Sequence, residues 1–219
     1  MTVPTFSAGS VCLIDSMGSD LSVINAARVS FDRWEDTVTD RGEGLIRYLA
    51  RNRHWTPFGH VQVSLLVHMP VFVARQLMRT QVGLVANEVS RRYVDDEPEF
   101  YVMPPWRGRP DASIKQGSGG EIGQQAAVQE LYEASCRQAL AAYNDMLELG
   151  VAPEQARVVL PLSHMTKVAW TGSLVAWSRM CGLRLDPHAQ AESAWFAARI
   201  GELCRGVAPL CWAALEGGR

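Results

Sequence analysis

Every second residue in segment 60–69 is apolar from Val61 onward, and this alternation constrains the fold more than any other feature of the chain. A period of two is that of a β-strand with one face turned to a core. Pro70 follows directly. It cannot donate a strand hydrogen bond, and its fixed φ suits the first turn of a helix. The pattern therefore predicts a strand over residues 60–69 and a helix over residues 71–80.

Most of the remaining periodic segments are helical. Apolar residues recur at helical spacing in four of them, residues 22–28, 44–51, 125–149 and 170–181. Residues 11–15 resemble a short strand, Pro153 and Pro161 bracket a short helix, and Asp186-Pro187 has the chemistry to start the last long helix. Few strands among many helices predict an α+β fold, in which an antiparallel sheet is flanked by helices.

The composition fits one compact domain. The chain has 219 residues, of which 47% are hydrophobic and 20% charged, and this length can bury a sizeable core. We therefore predict a single domain over residues 1–219. Segment 106–123 is rich in Gly, Pro and Ser, which predicts a flexible loop. The formal net charge of -2 argues against a partner such as nucleic acid, so any anion site must be local.

The sequence indicates neither a metal site nor a membrane segment. The five cysteines are scattered without a Cys-x-x-Cys pair, so we expect reduced, mostly buried thiols and no metal. His60 and His68 share strand parity, but eight residues of strand separate them by roughly 26 Å, too far to share an ion. Because no apolar run reaches membrane-spanning length and the first residues do not resemble a signal peptide, we expect a cytoplasmic protein.

Polar and cationic side chains are densest in segments 75–81 and 87–93. A helix would deliver its polar end into a loop that carries a hydroxyl, backbone amides and several guanidiniums. Such a set suits a phosphomonoester. From these residues alone, a solvated charged loop explains the pattern equally well.

Residues 87–93, Asn-Glu-Val-Ser-Arg-Arg-Tyr, resemble the closing half of the signature of flavin-dependent thymidylate synthases. Five further segments are similar to that family in the expected order, namely residues 27–31, 54–60, 72–76, 156–161 and 183–190. Together these segments cover roughly residues 25–200, and several ordered agreements are far more specific than one short motif. The chain is identified as a divergent member of this family.

The resemblance implies a fold, a reaction and an assembly. It implies the thymidylate synthase-complementing protein fold and a homotetramer with active sites between subunits. It implies methylation of dUMP at C5 to dTMP, with FAD and NADPH as cofactors and 5,10-methylenetetrahydrofolate as the carbon donor. In this chemistry the protein contributes orientation and electrostatic activation.

The resemblance also assigns residues. Arg184 would be catalytic, because a guanidinium beside a uracil carbonyl stabilises negative charge that develops on the ring. Ser90 has no histidine and acidic partner in a recognisable arrangement, so it would be a ligand and not a nucleophile. The nucleotide ligands would be Gln76, Arg79, Glu88, Ser90, Arg91, Arg92, Arg157 and Arg184. The flavin ligands would be Ser30, His54, Thr56, Arg79, Thr80, Gln81, Asn87, Ser173, Arg179, His188 and Gln190.

The chain departs from the family pattern in three places. Arg79-Thr80-Gln81 stands where the family has Arg-His-Arg, and the loop from there to Ser90 is one residue longer. Gly59 replaces the usual glutamate of its segment. After Trp170, the flavin-contacting Asn, Arg and Asn of many relatives are replaced by Ser173, Val175 and Arg179.

These departures leave three alternatives open. The altered loop is compatible with a related one-carbon transfer to a pyrimidine nucleotide, such as 5-hydroxymethylation. A nucleotide-binding module without catalysis would bind nucleotide but form no stable flavin complex. A nucleic-acid binder is the weakest alternative, because the chain is slightly acidic overall.

Overall fold

The computed structural model describes residues 3–111 and 117–218. The strands are β1 (Phe6–Ser7), β2 (Ser10–Met17), β3 (Gln62–Pro70), β4 (Leu84–Glu88), β5 (Phe100–Tyr101) and β6 (Met165–Ser173). The helices are α1 (Asp20–Arg28), α2 (Asp40–Arg51), α3 (Val71–Leu77), α4 (Gln125–Glu148), α5 (Pro153–Ala156), α6 (Leu174–Arg184), α7 (Ala191–Val207) and α8 (Pro209–Gly217). Three single 3₁₀ turns are Val29–Phe31, Pro57–His60 and Arg157–Val159.

The chain forms two compact units, each assembled from three separate segments. The first unit comprises the described parts of Met1–Ser10, His68–Gln76 and Glu88–Val168. The second comprises Val11–Val67, Leu77–Asn87 and the described part of Ala169–Arg219. The single domain over residues 1–219 stays a prediction.

The main sheet has four strands in the order β2-β3-β6-β4, and the second unit holds most of each strand. Val63, Leu65, Val67 and Met69 on β3 are all fully buried, as the alternation of apolar residues predicts. The antiparallel sheet flanked by helices confirms the α+β prediction. The first unit adds a feature that the sequence did not predict, since β1 and β5 pair in parallel.

Each unit has its own apolar core. In the second unit, the rings of Trp170 and Trp177 meet edge to face at 5.1 Å between centroids, and the indole N–H of Trp177 donates to the Val63 carbonyl at 3.1 Å. Trp212 and Phe196 are also fully buried there. The core of the first unit contains Phe100, Cys136, Leu140, Tyr143, Ala156 and Leu160.

The predicted helix over residues 170–181 is wrong at its start. Trp170 lies in strand β6, and helix α6 begins only at Leu174. Val168 and Trp170 are buried while Lys167 and Ala169 are exposed, so this segment has the period of a strand. The helix begins where the Ser173 hydroxyl accepts a hydrogen bond from the Ala176 N–H at 3.4 Å, which caps its first turn.

The last long helix also begins later than predicted, at Ala191 and not at Asp186-Pro187. The carboxylate of Asp186 instead accepts the backbone N–H of His188 at 2.8 Å, which closes a tight turn before the helix. The predicted helix over residues 71–80 ends at Leu77, and the predicted strand over residues 60–69 begins at Gln62.

An aspartate from α1 caps the N-terminus of α8. The carboxylate of Asp20 accepts the backbone N–H of Cys211 at 2.8 Å and that of Leu210 at 3.2 Å. Asp20 is buried, and the two N–H groups would otherwise lack an intrahelical partner. One carboxylate therefore satisfies two donors at a distant point of the chain.

Backbone pairing joins the ends of the segment 106–123. The N–H of Gly108 donates to Gly120 at 2.9 Å, and the N–H of Ile122 donates to Trp106 at 3.0 Å. Residues 112–116 of the predicted flexible loop lie outside the described residues, and its mobility stays a prediction.

Two further observations concern the described residues only. No helix in residues 3–111 and 117–218 is both long and apolar enough to cross a membrane. Over the same ranges, no group of three or more His, Cys, Asp and Glu side chains could hold a metal ion.

Four of the cysteines are buried free thiols, and Cys12 is exposed.

Candidate active site

The predicted site residues divide between the two units. All predicted flavin ligands lie in the second unit. Six predicted nucleotide ligands lie in the first unit, namely Gln76, Glu88, Ser90, Arg91, Arg92 and Arg157. The other two, Arg79 and Arg184, lie in the second unit.

In the first unit, the chain leaves strand β4 at Glu88 and turns at Ser90. The N–H of Val89 still pairs with the Lys167 carbonyl at 2.8 Å, and the N–H of Tyr93 then closes a turn on the Ser90 carbonyl at 3.1 Å. The Ser90 hydroxyl accepts from the guanidinium Nε of Arg92 at 3.1 Å. This turn places a hydroxyl and a cation side by side, a pair that suits a phosphate oxygen.

The guanidinium of Arg91 is fixed to the first unit by two contacts. Its Nη1 donates to the Asp96 carbonyl at 2.6 Å, and its Cζ lies 6.0 Å from the centroid of the buried Tyr143 ring. A cation over an aromatic face is attracted by the ring quadrupole. Arg91 therefore has a defined position without a carboxylate partner in those contacts, which keeps its charge available for an anionic ligand.

His164 joins this cationic region and was not among the predicted site residues. Its Nδ1 lies 2.7 Å from the Pro161 carbonyl, which can only accept, so Nδ1 carries the proton. Burial is the main factor that lowers the pKa of His164, and the charges of Arg91 and Arg157 lower it further, against the opposing effects of Pro161 and Glu88. A neutral imidazole therefore accompanies these guanidiniums. The sequence signal was its position three residues after the end of the matched segment 156–161.

The second unit carries the other two predicted nucleotide ligands, Arg79 and Arg184. Arg79 is exposed and Arg184 half-buried. Burial lowers the pKa of Arg184, and the positive charge of Arg79 lowers it further. A guanidinium can donate two hydrogen bonds to one anion, so each of these residues suits an anionic ligand.

Two predicted flavin ligands already have partners within the protein. The Arg179 guanidinium Nη2 donates to the Val82 carbonyl at 3.2 Å, and the Ser173 hydroxyl caps α6. Ser173 precedes α6 and Arg179 lies within it, and the resemblance places both at positions where relatives often carry asparagine. Their side chains here stabilise the protein's own backbone.

The remaining predicted flavin ligands include exposed hydroxyls and imidazoles. Ser30, Thr56 and His54 are exposed, and the His54 ring meets the Tyr48 ring edge to face at 5.8 Å between centroids. His188 Nδ1 lies 3.0 Å from the Asp186 carboxylate, which orients its imidazole. The backbone N–H of His188, followed by its side chain, lowers the pKa of Asp186, so this carboxylate is ionised when it holds the imidazole.

Comparisons with known proteins identify the family of this chain. The family model described as thymidylate synthase complementing protein matches residues 12–210. A flavin-dependent thymidylate synthase from Thermus thermophilus is 39% identical over 216 residues, which are 99% of this chain and 78% of that protein. One from Kosmotoga olearia is 33% identical over 219 residues, covering 98% of this chain and 93% of that protein.

A solved structure is similar over nearly the whole chain. The UMP/dUMP methylase PolB from Streptomyces cacaoi, bound with 5-Br dUMP, has a TM-score of 0.87 and 31% identity and covers 97% of both chains. A second structure of PolB, bound with 5-Br UMP, also has a TM-score of 0.87. These findings confirm the resemblance that the motifs indicated. The chain therefore belongs to the thymidylate synthase complementing protein family, the family of the flavin-dependent thymidylate synthases.

Proposed function

We propose that this protein methylates dUMP at C5 to give dTMP, with FAD and NADPH as cofactors and 5,10-methylenetetrahydrofolate as the carbon donor. Family membership supports the reaction class. The observation that carries the proposal to this chain is the turn at Ser90, where the Arg92 guanidinium donates to the Ser90 hydroxyl at 3.1 Å. Such a pair favours an anionic substrate or an anionic transition state.

Arg184 acts as the catalytic residue in this proposal. A half-buried guanidinium is less screened than an exposed one, so it stabilises negative charge on a uracil carbonyl more strongly. The first unit supplies phosphate and base ligands, for which Ser90, Arg91, Arg92 and Arg157 have suitable donors. Gln76 and Glu88 complete the set.

The donors of the second unit fit a flavin dinucleotide. The exposed hydroxyls of Ser30 and Thr56 and the imidazoles of His54 and His188 can donate to its carbonyl and phosphate oxygens. Thr80, Gln81, Asn87 and Gln190 are further proposed ligands. When bound and reduced by NADPH, the flavin would supply the hydride. The protein's own residues hold, orient and neutralise the reacting groups.

The decisive experiment is mass spectrometry of the nucleotide product. The purified protein is incubated without oxygen with FAD, NADPH, methylenetetrahydrofolate and dUMP. A mass gain of one methylene supports thymidylate synthesis. A gain of one methylene and one oxygen would instead identify 5-hydroxymethylation, and nucleotide binding without any product would favour a non-catalytic module.

A second candidate substrate is UMP. The observation in its favour is the similarity to PolB, a UMP/dUMP methylase, over nearly the full length of both chains. A competition assay with equal UMP and dUMP gives the ratio of the two kcat/KM values. Methylated UMP in that mixture would extend the substrate class to ribonucleotides, and unmodified UMP would restrict it to dUMP.

We also propose that the protein assembles as a homotetramer with active sites between subunits. Leu13, Ile14 and Met17 on the edge strand β2 are exposed apolar side chains, which a second copy could cover. Native mass spectrometry measures the assembly directly. A monomer at concentrations that support turnover would refute this proposal.

A further inference from the structure

The loop that departs from the family signature contains a tight turn. Residues 81–84 close it, because the N–H of Leu84 donates to the Gln81 carbonyl at 2.9 Å. Gly83, at the third position, has a φ of 79°. A positive φ at this position is the mark of a type II turn, which favours glycine. The backbone that follows Arg79-Thr80-Gln81 is therefore sharply defined.

Two successive carbonyls of this turn accept hydrogen bonds, one from helix α6 and one from the residue that precedes the helix. The Arg179 guanidinium donates to the Val82 carbonyl at 3.2 Å. The backbone N–H of Ser173 donates to the Gly83 carbonyl, also at 3.2 Å. The first bond depends on a side chain that departs from the family pattern, and it joins residues that are 97 positions apart in the chain.

Close packing reinforces the attachment. A Cβ atom added to Gly83 would lie 2.9 Å from the Cβ of Ala176 and 3.4 Å from the Ser173 hydroxyl. A Cβ atom added to Gly172 would overlap the Leu84 side chain. The turn therefore lies against the start of α6 without room for a side chain at either glycine.

The attachment bears on Arg79, which is exposed and lies two residues before the turn. Its position therefore depends on the loop that carries it. A tether between this loop and α6 orders the loop before a ligand arrives, which reduces the ordering cost of binding. The charge of Arg79 also acts to lower the pKa of Arg184 in the last turn of α6.

We propose that Arg179 is a positioning residue for the nucleotide, whose hydrogen bond to the Val82 carbonyl orders the loop that carries Arg79. This inference rests on the proposed function, because it takes the nucleotide as the anion that Arg79 binds. It assigns Arg179 to the altered loop and not to the flavin. The altered loop and Arg179 on helix α6 thus act together.

The test compares Arg179→Met, which removes the donor, with Arg179→Lys, which keeps one. Binding of dUMP and of FAD is measured separately by calorimetry, together with KM and kcat. Because Arg179→Met removes a hydrogen bond from a charged group, we expect dUMP to bind more weakly and the KM for dUMP to rise about fivefold or more. Because the proposed flavin ligands Thr80 and Gln81 lie in the same loop, the FAD affinity also falls, and Arg179→Lys recovers most of both losses. Arg199→Met, at an exposed arginine of α7, is the matched control.

Gly83→Ala tests the same loop from its other side. The added methyl group strains the turn and meets Ala176, so this variant also weakens dUMP binding. Because both changes release one loop, the double variant Arg179→Met with Gly83→Ala is little worse than either single variant. Fully additive losses of dUMP affinity would contradict the idea that both residues order the same loop.

Three results would overturn the inference. Weaker FAD binding with unchanged dUMP binding in Arg179→Met would make Arg179 a flavin ligand. Unchanged binding of both ligands would remove any positioning role while leaving the proposed function intact. A wild-type protein that binds no dUMP would refute the proposed function and the inference together.

Discussion

At the scale of single residues, neutral partners orient three guanidiniums in the part of the chain that the structure describes. Arg91 is held by a carbonyl and an aromatic ring, Arg92 by a hydroxyl and a ring, and Arg179 by a carbonyl. Neutral partners orient a cation without neutralising it. Their charges therefore remain available to an anionic ligand.

Replacement of Arg184 by alanine tests the central cation. We expect dUMP affinity or kcat/KM to fall by about ten- to a hundredfold, as for a lost hydrogen bond to a charged group. Folding should change little, because a charge in a ligand site serves the ligand. Isothermal calorimetry and thermal unfolding measure the two effects, with Arg199→Ala as the control. If the variant unfolds but its folded fraction binds dUMP normally, Arg184 is a structural residue.

His54→Ala tests the flavin assignment. The imidazole is exposed and contacts Tyr48 only through ring edges, so its loss should change stability by no more than about 0.5 kcal/mol. FAD affinity, followed by flavin fluorescence, should fall while dUMP affinity is kept. The exposed His60 provides the control variant His60→Ala. Flavin affinity equal to that of the wild type would rule out this role.

His164 gives a pH dependence with a definite sign. Its folded-state pKa is lowered, chiefly by burial, so between that value and about 6.5 the unfolded chain binds a proton that the folded chain does not. The contribution of His164 to the unfolding free energy is complete above about pH 6.5 and is lost as the pH falls. His164→Gln should therefore lose less unfolding free energy than the wild type in urea titrations from about pH 8 to about pH 5. An identical loss of unfolding free energy in both proteins would contradict this role of His164.

At the scale of elements, sequence periodicity predicted those helices and strands whose structure is set by the local sequence. Strand β3 and helix α4 have clear periods of two and of 3.6, and both lie where the sequence placed them. Strand β6 was missed although it alternates, because Trp170 also fits the apolar spacing of the helix after it. Asp186 has N-cap chemistry, but its carboxylate closes a turn at His188 and does not start α7.

The motifs assigned residues to the proposed site, and these assignments stay predictions. Segments that resemble the family signature name Ser90, Arg92 and Arg184 as ligands in the proposed reaction. They could not indicate that His164 joins Arg91, or that Arg179 reaches Val82, because these contacts link distant parts of the chain. Side-chain partners of this kind follow from tertiary structure alone.

Asp20→Ala tests how one helix supports another. Loss of an N-cap costs about 0.5–2 kcal/mol, and this buried cap serves two N–H groups of α8, so we expect a value near 2 kcal/mol. Chemical denaturation measures the unfolding free energy. Asp145→Ala, at an exposed aspartate of α4, should cost much less. Equal losses in the two variants would mean that the cap contributes no particular stability.

At the scale of the whole molecule, two compact units are each built from three stretches of one chain. Each unit carries cations that suit a negatively charged ligand, although the formal net charge is -2. The acidic residues elsewhere offset these cations. Affinity for long polyanions should therefore be low while affinity for small anions is kept.

Ligand binding should stabilise the whole molecule by mass action. At a dUMP concentration about 100 times its Kd, the unfolding free energy should rise by about 2.7 kcal/mol. For a chain of this size that corresponds to a Tm increase of roughly 5–10 °C. Differential scanning fluorimetry across a dUMP series measures the increase, with uridine, which lacks the phosphate, as the control. Equal stabilisation by uridine would contradict a phosphate-directed site.

The cap on helix α8 has a consequence for protein synthesis. Asp20 leaves the ribosome early, whereas Leu210 and Cys211, whose N–H groups it accepts, emerge 190 and 191 residues later. Until then its carboxylate must remain in water, since burying it without a partner is costly. The second unit can therefore complete its core only after nearly all of this sequence has been translated, and a nascent chain stalled before that point depends on chaperones to avoid aggregation.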